Sequence, residues 1–379
     1  MTVVPRVAMT LTQVSHRVPG GTATSLCHLA AALSRSGRVE LTAVLARGDL
    51  RRPRSLLDPE HDAAVLLDPT VHTVSLPLPL PLLYDAWART GRPALRSTVG
   101  SIDLVHVTVP LRVGIGASPM VATVHDVFPL SRSHEFTSRG ARLMRDGLRW
   151  VLDHARVVMV PSATVRAAVI DQGVPEASAM VVPWGVARRS ADAAQVAEVR
   201  RRHGLSGPYL LFVGTLEPRK NLRGLLEAVA RLDRPDLTLA VVGPSGWGDV
   251  LSGLATPASP VVRLGHVSDQ DLSALYAGAA AFCYPSFEEG FGLPVLEAMS
   301  AGTPVVTSCG TATEDAAGGA ALLVDPADPA AIASALARVL DDVDLAACLR
   351  RDGLEQAALR SWSESAELTL TAYRTALDA

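Results

Sequence analysis

Lysine is almost missing from this 379-residue chain: of its 35 basic residues, only Lys220 is not an arginine. A G+C-rich coding sequence drifts interchangeable surface lysines to arginine. The survivor is therefore either accidental or a place where a compact ammonium does what a planar fork cannot. Cysteine is scarce too. Cys27, Cys283, Cys309 and Cys348 share no C-x-x-C spacing, which excludes a disulfide scaffold or zinc ribbon and reads as reduced, mostly buried thiols of a cytoplasmic protein. Long apolar runs are absent: the uncharged stretch from Ala298 to Thr313 is broken by Gly, Pro, Ser and Thr, so no spanning helix is expected. The start, Met1 to Val7, lacks the apolar core of a signal peptide. A net charge of −3 leaves no dominant basic field, so no nucleic-acid partner is expected. There is no G-x-x-x-x-G-K-[ST], H-E-x-x-H, G-x-S-x-G or G-x-G-x-x-G, no compact His/Asp/Glu cluster with metal spacing and no D-x-D pair placed to hold a divalent metal on a diphosphate. Neither a resident metal nor a nicotinamide cofactor is expected.

What is there is 48% hydrophobic residue content over a length suited to two domains. Arg6 to Gln13 reads as a strand, R-V-P-G-G-T as a turn through Gly20 and Gly21, and Leu26, Leu29, Ala30 and Leu33 as one face of a helix that Gly37 stops. Short apolar strands follow at 41–45, 104–107, 121–124, 157–160 and 180–182, separated by helical stretches. Strands alternating with helices imply an α/β fold with a mainly parallel sheet covered on both faces. Ser75 to Tyr84, with three prolines, reads as an extended surface loop. The polar, Arg-rich stretch Ala187 to His203 marks a domain boundary. A second strand series then runs 209–213, 238–242, 261–264, 280–284, 305–307 and 321–324. Ser361 and Glu364 form a capping box for a terminal helix with Ala366, Leu370, Tyr373 and Leu377 on one face. The expected division is residues 1–187, 188–360 and the terminal helix 361–379.

The strongest chemical signal is P-S-F-E-E-G-F-G-L-P-V-L-E-A-M-S-A-G-T-P from Pro285 to Pro304. Gly290 and Gly292 permit a tight turn, Pro294 suits a first helical turn, and the free N–H groups near Phe291, Gly292 and Leu293 make an anion site. Glu289 precedes that helix start and Glu297 lies about one turn inside. The set suits a ligand with a diphosphate and polyhydroxylated rings. The second signal is L-F-V-G-T-L-E-P-R-K-N-L from Leu211 to Leu222, a strand ending at Gly214 and a polar turn carrying Arg219 and Lys220. The carboxyl ends of parallel strands face the ligand crevice, where Arg and Lys can clamp phosphate. His125, in T-V-H-D after a strand, is either structural or a hydrogen-bonding group for a sugar hydroxyl.

With these motifs quoted, nearly the whole chain resembles the retaining glycosyltransferases of family four, which have the GT-B fold. In the C-terminal half the resemblance lies in F-V-G-T-L-E-P-R-K-N-L, the glycine and tryptophan of V-V-G-P-S-G-W, G-H-V-S-D-Q-D-L-S-A-L-Y, the Pro285 motif and A-L-L-V-D-P. In the N-terminal half it lies in the glycine turn, H-D-V, V-P-S at 160–162 and P-W-G-V at 183–186. The resemblance implies two Rossmann-like domains facing across a cleft, the first binding acceptor and the second donor, with the terminal helix crossing back to the first. It implies that Arg219 and Lys220 hold the donor diphosphate, Glu297 the ribose, and Glu289 and His125 the transferred sugar, with Gly20 and Gly21 near the diphosphate. Gly214 and the turn Gly290–Leu293 complete the implied donor site. The pattern is most similar to bacterial mannosyltransferases of polysaccharide assembly, which favours GDP-mannose over UDP-sugars as co-substrate. The acceptor would be a glycan, a lipid-linked molecule or a small molecule. Two departures stand out: Trp184, where members carry Asn or Leu, and Thr313–Glu314, where members read proline–glutamate. A nucleotide-sugar epimerase and a catalytically inactive partner-binding subunit on the same scaffold are the alternatives. Arg139, Arg142, Arg145 and Arg149 line one face of a helix expected over 137–153. This stripe reads first as a solvated face and second as a peripheral contact with anionic lipid at the inner membrane face.

Overall fold

A computed structural model describes residues 4–15, 20–47, 67–131, 138–246 and 260–379, with the side chains of residues 131, 138 and 139 left aside. Trp247, Thr137, the Arg139 side chain and the Arg17–Pro19 part of the first turn lie outside the described residues. The chain divides into unit 1, Met1–Gly185 with Trp362–Ala379, and unit 2, Val186–Ser361.

Unit 1 is built on seven strands: β1 Arg6–Thr10, β2 Glu40–Leu45, β3 His72–Ser75, β4 Leu104–Val107, β5 Met120–Thr123, β6 Val157–Val160 and β7 Ala179–Val181. Their order is β3-β2-β1-β4-β5-β6-β7, and every pairing is parallel. β4, β5 and β6 are buried at every residue, as strands covered on both faces must be. Unit 2 repeats the plan with β8 Tyr209–Val213, β9 Thr238–Val242, β10 Val261–Gly265, β11 Ala281–Tyr284, β12 Val305–Ser308 and β13 Leu322–Val324, ordered β10-β9-β8-β11-β12-β13 and parallel throughout. Each sheet reverses direction of growth once, between β1 and β4 and between β8 and β11. Among the described residues no helix is long and apolar enough to cross a membrane.

Three local readings are corrected. The stretch 75–84 is not one extended loop: β3 ends at Ser75, and a helix spans Leu80–Thr90 with Pro79 as its cap and Pro81 in its first turn. Proline costs nothing in a first turn, whose N–H groups lack partners anyway. Leu83 and Trp87 anchor that helix in the core, and the Trp87 indole donates to the Pro93 carbonyl at 3.0 Å. The polar stretch 187–203 contains a helix, Ala193–Arg202, started by a reciprocal capping box between Asp192 and Gln195. The first strand stops at Thr10, and Thr12–Ser15 forms a 3₁₀ turn.

The last helix, Trp362–Asp378, belongs to unit 1 and packs on the helix Gly20–Ser36 and on β4–β6. Its Tyr373 hydroxyl meets His106 Nδ1 at 2.8 Å, and His106 Nε2 meets Thr123 Oγ1 at 2.7 Å. Arg156 donates to the Ala376 carbonyl at 2.7 Å. Burial, with a smaller contribution from His125, pushes the His106 ring down to about 3, and burial pushes His125 down to about 4. Both rings are therefore neutral in the folded protein at neutral pH. Unfolded, they take up protons near the ordinary value of about 6.5. Lowering the pH from about 6.5 towards 4 thus favours the unfolded chain, by up to about 1.4 kcal/mol per pH unit for each ring. Urea melts of the full chain should show stability falling between pH 7 and 5, and His106→Asn should flatten that slope. An unchanged slope in the variant contradicts the assignment.

Candidate active site

Where an open α/β sheet reverses its strand order, the loops leaving the strand ends part and open a crevice. In unit 2 that point lies between β8 and β11. β8 runs into Gly214, whose N–H donates to the Val242 carbonyl at 2.9 Å. A Cβ there would lie 3.7 Å from the Tyr284 ring and 3.9 Å from Lys220 Cε, so the strand exit runs directly beside the lysine. The chain then makes a 3₁₀ turn, Pro218–Lys220, and Asn221 follows in the left-handed region at φ 55°. Asn221 Oδ1 accepts from Gly224 N at 3.1 Å and so caps the helix Leu222–Leu232. Its Nδ2 donates to the carbonyls of Pro285 at 3.0 Å and Pro326 at 2.6 Å. This one side chain ties the cationic turn to the loop leaving β11.

That loop brings Glu289 against both cations. Lys220 Nζ donates to Glu289 Oε1 and to the Tyr284 hydroxyl, and the hydroxyl donates to Glu289 Oε1 at 3.0 Å. Arg219 Nη1 lies 3.1 Å from Glu289 Oε2 and donates to the Glu288 carbonyl at 3.3 Å, while its Nε donates to Glu217 at 2.9 Å. The Lys220 and Glu289 side chains are only 10% and 9% exposed. Burial lowers the Lys220 ammonium below its ordinary range, against the pull of Glu289. Burial pushes the Glu289 carboxyl up, but Lys220, Arg219 and the hydrogen bonds outweigh it and the net direction is down. Burial and the Glu289 charge push Tyr284 far up, so it stays a donor.

Gly292 then takes φ 101°, and a Cβ on it would sit 2.9 Å from the Thr313 methyl. Only glycine fits that turn. It opens the helix Leu293–Ser300, with Pro294 in the first turn. The N–H groups of Phe291, Gly292 and Leu293 have no partner among the described residues, and Gly290 lies in the same turn. Thr313 and Glu314 stand opposite: Thr313 Oγ1 bonds Thr311 Oγ1 at 2.7 Å, and Glu314 accepts from Gly310 N at 2.6 Å. Glu297 is already engaged. Its Oε1 accepts from Arg189 at 2.7 Å and its Oε2 from the Tyr276 hydroxyl at 3.0 Å. Each carboxylate oxygen keeps a second lone pair for a hydroxyl.

The structure thus brings Gly214, Arg219, Lys220, Glu289 and the turn Gly290–Leu293 together, with Glu297 a turn further along the helix. His125, Gly20 and Gly21 are in unit 1. Gly20 and Gly21 open the helix Gly20–Ser36 rather than forming the body of a turn, and a Cβ at either would meet nothing within 4 Å. His125 stacks on Trp184 with centroids 5.6 Å apart, and its Nε2 is buried without a partner. Tyr284, Tyr276, Asn221, Glu217 and Arg189 are contributors that sequence reasoning missed. A lone tyrosine closing the apolar strand A-F-C-Y was the one legible hint.

Residues 207–342 match the model of group 1 glycosyl transferases, and residues 19–189 match that of glycosyltransferase family 4. The chain is 36% identical over 265 residues to the O-antigen chain mannosyltransferase B of Escherichia coli, covering 67% of this chain and 70% of that protein. It is 31% identical over 369 residues to the MMP alpha-(1->4)-mannosyltransferase of Mycolicibacterium hassiacum, covering 90% of this chain and 87% of that one. Anabaena HepE, crystallised with UDP and glucose, superposes with a TM-score of 0.71 at 17% identity, over 98% of this chain and 99% of that one. Its likeness shows the fold, two Rossmann-like parallel-sheet domains of the GT-B kind. The chain belongs to glycosyltransferase family 4 and is a glycosyltransferase.

Removing one partner of a buried ion pair leaves an uncompensated charge, which typically costs about 3–5 kcal/mol. Lys220→Met should therefore destabilise the chain by roughly 2 kcal/mol or more, Arg219 still holding Glu289. Adding Glu289→Gln should recover part of the loss, a coupling of about 1–3 kcal/mol in a double-mutant cycle. Additive effects in urea melts contradict the pairing.

Proposed function

We propose that this glycosyltransferase moves mannose from a nucleotide-diphosphate sugar, GDP-mannose in preference to UDP-sugars, to a glycan, lipid-linked or small-molecule acceptor, with retention of configuration. The observation that carries the proposal is the buried Lys220–Glu289–Arg219 cluster beside three unpartnered backbone N–H groups. Negative charge grows on a diphosphate as the glycosidic bond breaks. Fixed cations and a helix start in a low-dielectric site stabilise that charge more in the transition state than before it. In this reading Arg219, Lys220 and the N–H groups of residues 291–293 do the neutralising, so no metal is required. Glu297, oriented by Arg189 and Tyr276, accepts from the ribose hydroxyls. Two mannosyltransferases among the relatives support the choice of sugar.

Glu289 is held on both oxygens by cations, so it makes a poor free nucleophile. A double displacement needs one carboxylate as nucleophile and a second group as acid, and no such pair is assembled in the cluster. We therefore assign front-face attack, in which the leaving phosphate takes the acceptor proton while Glu289 orients and stabilises the sugar.

The test is incubation with GDP-mannose and UDP-sugars, with and without acceptor, and NMR of the product. Acceptor-dependent release of nucleoside diphosphate with an unchanged anomeric configuration is expected. An inverted product, or epimer formation without acceptor, contradicts the proposal. Glu289→Gln should lower kcat by roughly 10²-fold with donor KM changed only a few-fold. A variant impaired only in donor binding removes the role given to Glu289.

A further inference from the structure

Unit 1 has a cavity of about 370 Å³ at the carboxyl ends of β1, β4 and β5, beside its own reversal of strand order. Its lining is mixed. Gln13, Thr108, Thr123 and His125 contribute polar groups. Leu111, with Leu143, Met144, Leu148 and Val151 from the helix Ser138–His154, contributes apolar ones. Leu148 and Val151 are each 1% exposed, whereas Leu143 and Met144 are half-buried. Among the described wall residues, Asp126 is the only charged side chain, and no arginine or lysine is present.

The polar groups mostly satisfy one another. Gln13 Nε2 donates to the Thr108 carbonyl and, at 3.2 Å, to its hydroxyl. Thr108 N donates to Thr10 Oγ1 at 2.9 Å, and Thr123 Oγ1 pairs with His106 Nε2. His125 Nε2 is the exception, buried with no partner. Its ring is neutral at neutral pH. A neutral imidazole nitrogen either donates or accepts, and a hydroxyl can meet Nε2 in either role. Leaving it unmet is costly, as is leaving the apolar wall against water. A volume near the lower end of small-molecule sites suits one substituted ring rather than an extended chain.

We infer that this cavity binds an uncharged acceptor bearing an apolar aryl or alkyl substituent beside a free hydroxyl, the substituent against Leu143, Met144 and Leu148 and the hydroxyl on His125 Nε2. The inference rests on the glycosyl-transfer reading for calling the occupant an acceptor. Among the described wall residues a phosphorylated group meets no cation, and it meets an acid at Asp126.

The experiment is calorimetric titration of the full chain with p-nitrophenyl α-mannoside, methyl α-mannoside and mannose 6-phosphate. The aryl glycoside should bind about tenfold or more tightly than the methyl glycoside. Leu143→Asn and Met144→Gln should each erase most of that difference with the melting temperature held within a few degrees. Equal affinity for the two glycosides, a preference that survives in both variants, or tighter binding of mannose 6-phosphate overturns the inference. Transfer from nucleotide sugars is measured in parallel. Transfer without the aryl preference overturns the inference alone. Aryl-glycoside binding without transfer from any donor overturns the transfer reading and leaves the cavity's chemistry standing.

Discussion

A single carboxylate, Glu289, holds Lys220, Arg219 and the Tyr284 hydroxyl around itself, and much of unit 2 is arranged so that this can happen. Burying a lysine and a glutamate is tolerable only when each has the other and the remaining lone pairs are bonded. That constraint fixes the turn Pro218–Lys220 through Asn221, fixes the loop after β11 through the same side chain, and fixes Tyr284 at the strand end. Glu289 thus holds both cations in a preorganised setting, rather than leaving them as solvated side chains.

The fold keeps the cluster local. Parallel strands buried on both faces carry little chemistry along their length, so reactive groups collect at the carboxyl ends, above all where the strand order reverses. Unit 2 puts cations and open N–H groups there. Unit 1 puts threonines, a neutral histidine and an apolar wall there. One plan thus yields a buried ion-pair cluster in one unit and a cavity of mixed polarity in the other, and the difference lies in a few side chains at equivalent points.

The strands were legible because runs such as Y-L-L-F-V and T-L-A-V-V have no other place than a doubly covered sheet. β3 was not, since H-T-V-S is short, half-polar and at the sheet edge. The helix Leu80–Thr90 hid behind prolines that act as stops in a strand and as starters in a helix. In the site, Lys220 was legible as the one lysine and Gly292 as part of a tight turn. Arg189 was not, because one arginine in an arginine-rich stretch carries no mark. Only the packing shows it 2.7 Å from Glu297. The Lys220–Glu289 pairing was equally hidden, joining two motifs 69 residues apart.

The central claim is that Arg219 and Lys220 recognise the diphosphate itself, and the most direct measurement compares nucleoside diphosphates with monophosphates. Calorimetric titration of the full chain with GDP and GMP, and with UDP and UMP, isolates the outer phosphate. The account predicts that the diphosphate of the preferred base binds at least about tenfold more tightly, and that Arg219→Gln, at a side chain 20% exposed, removes most of that advantage. An advantage that survives unchanged in Arg219→Gln would contradict it.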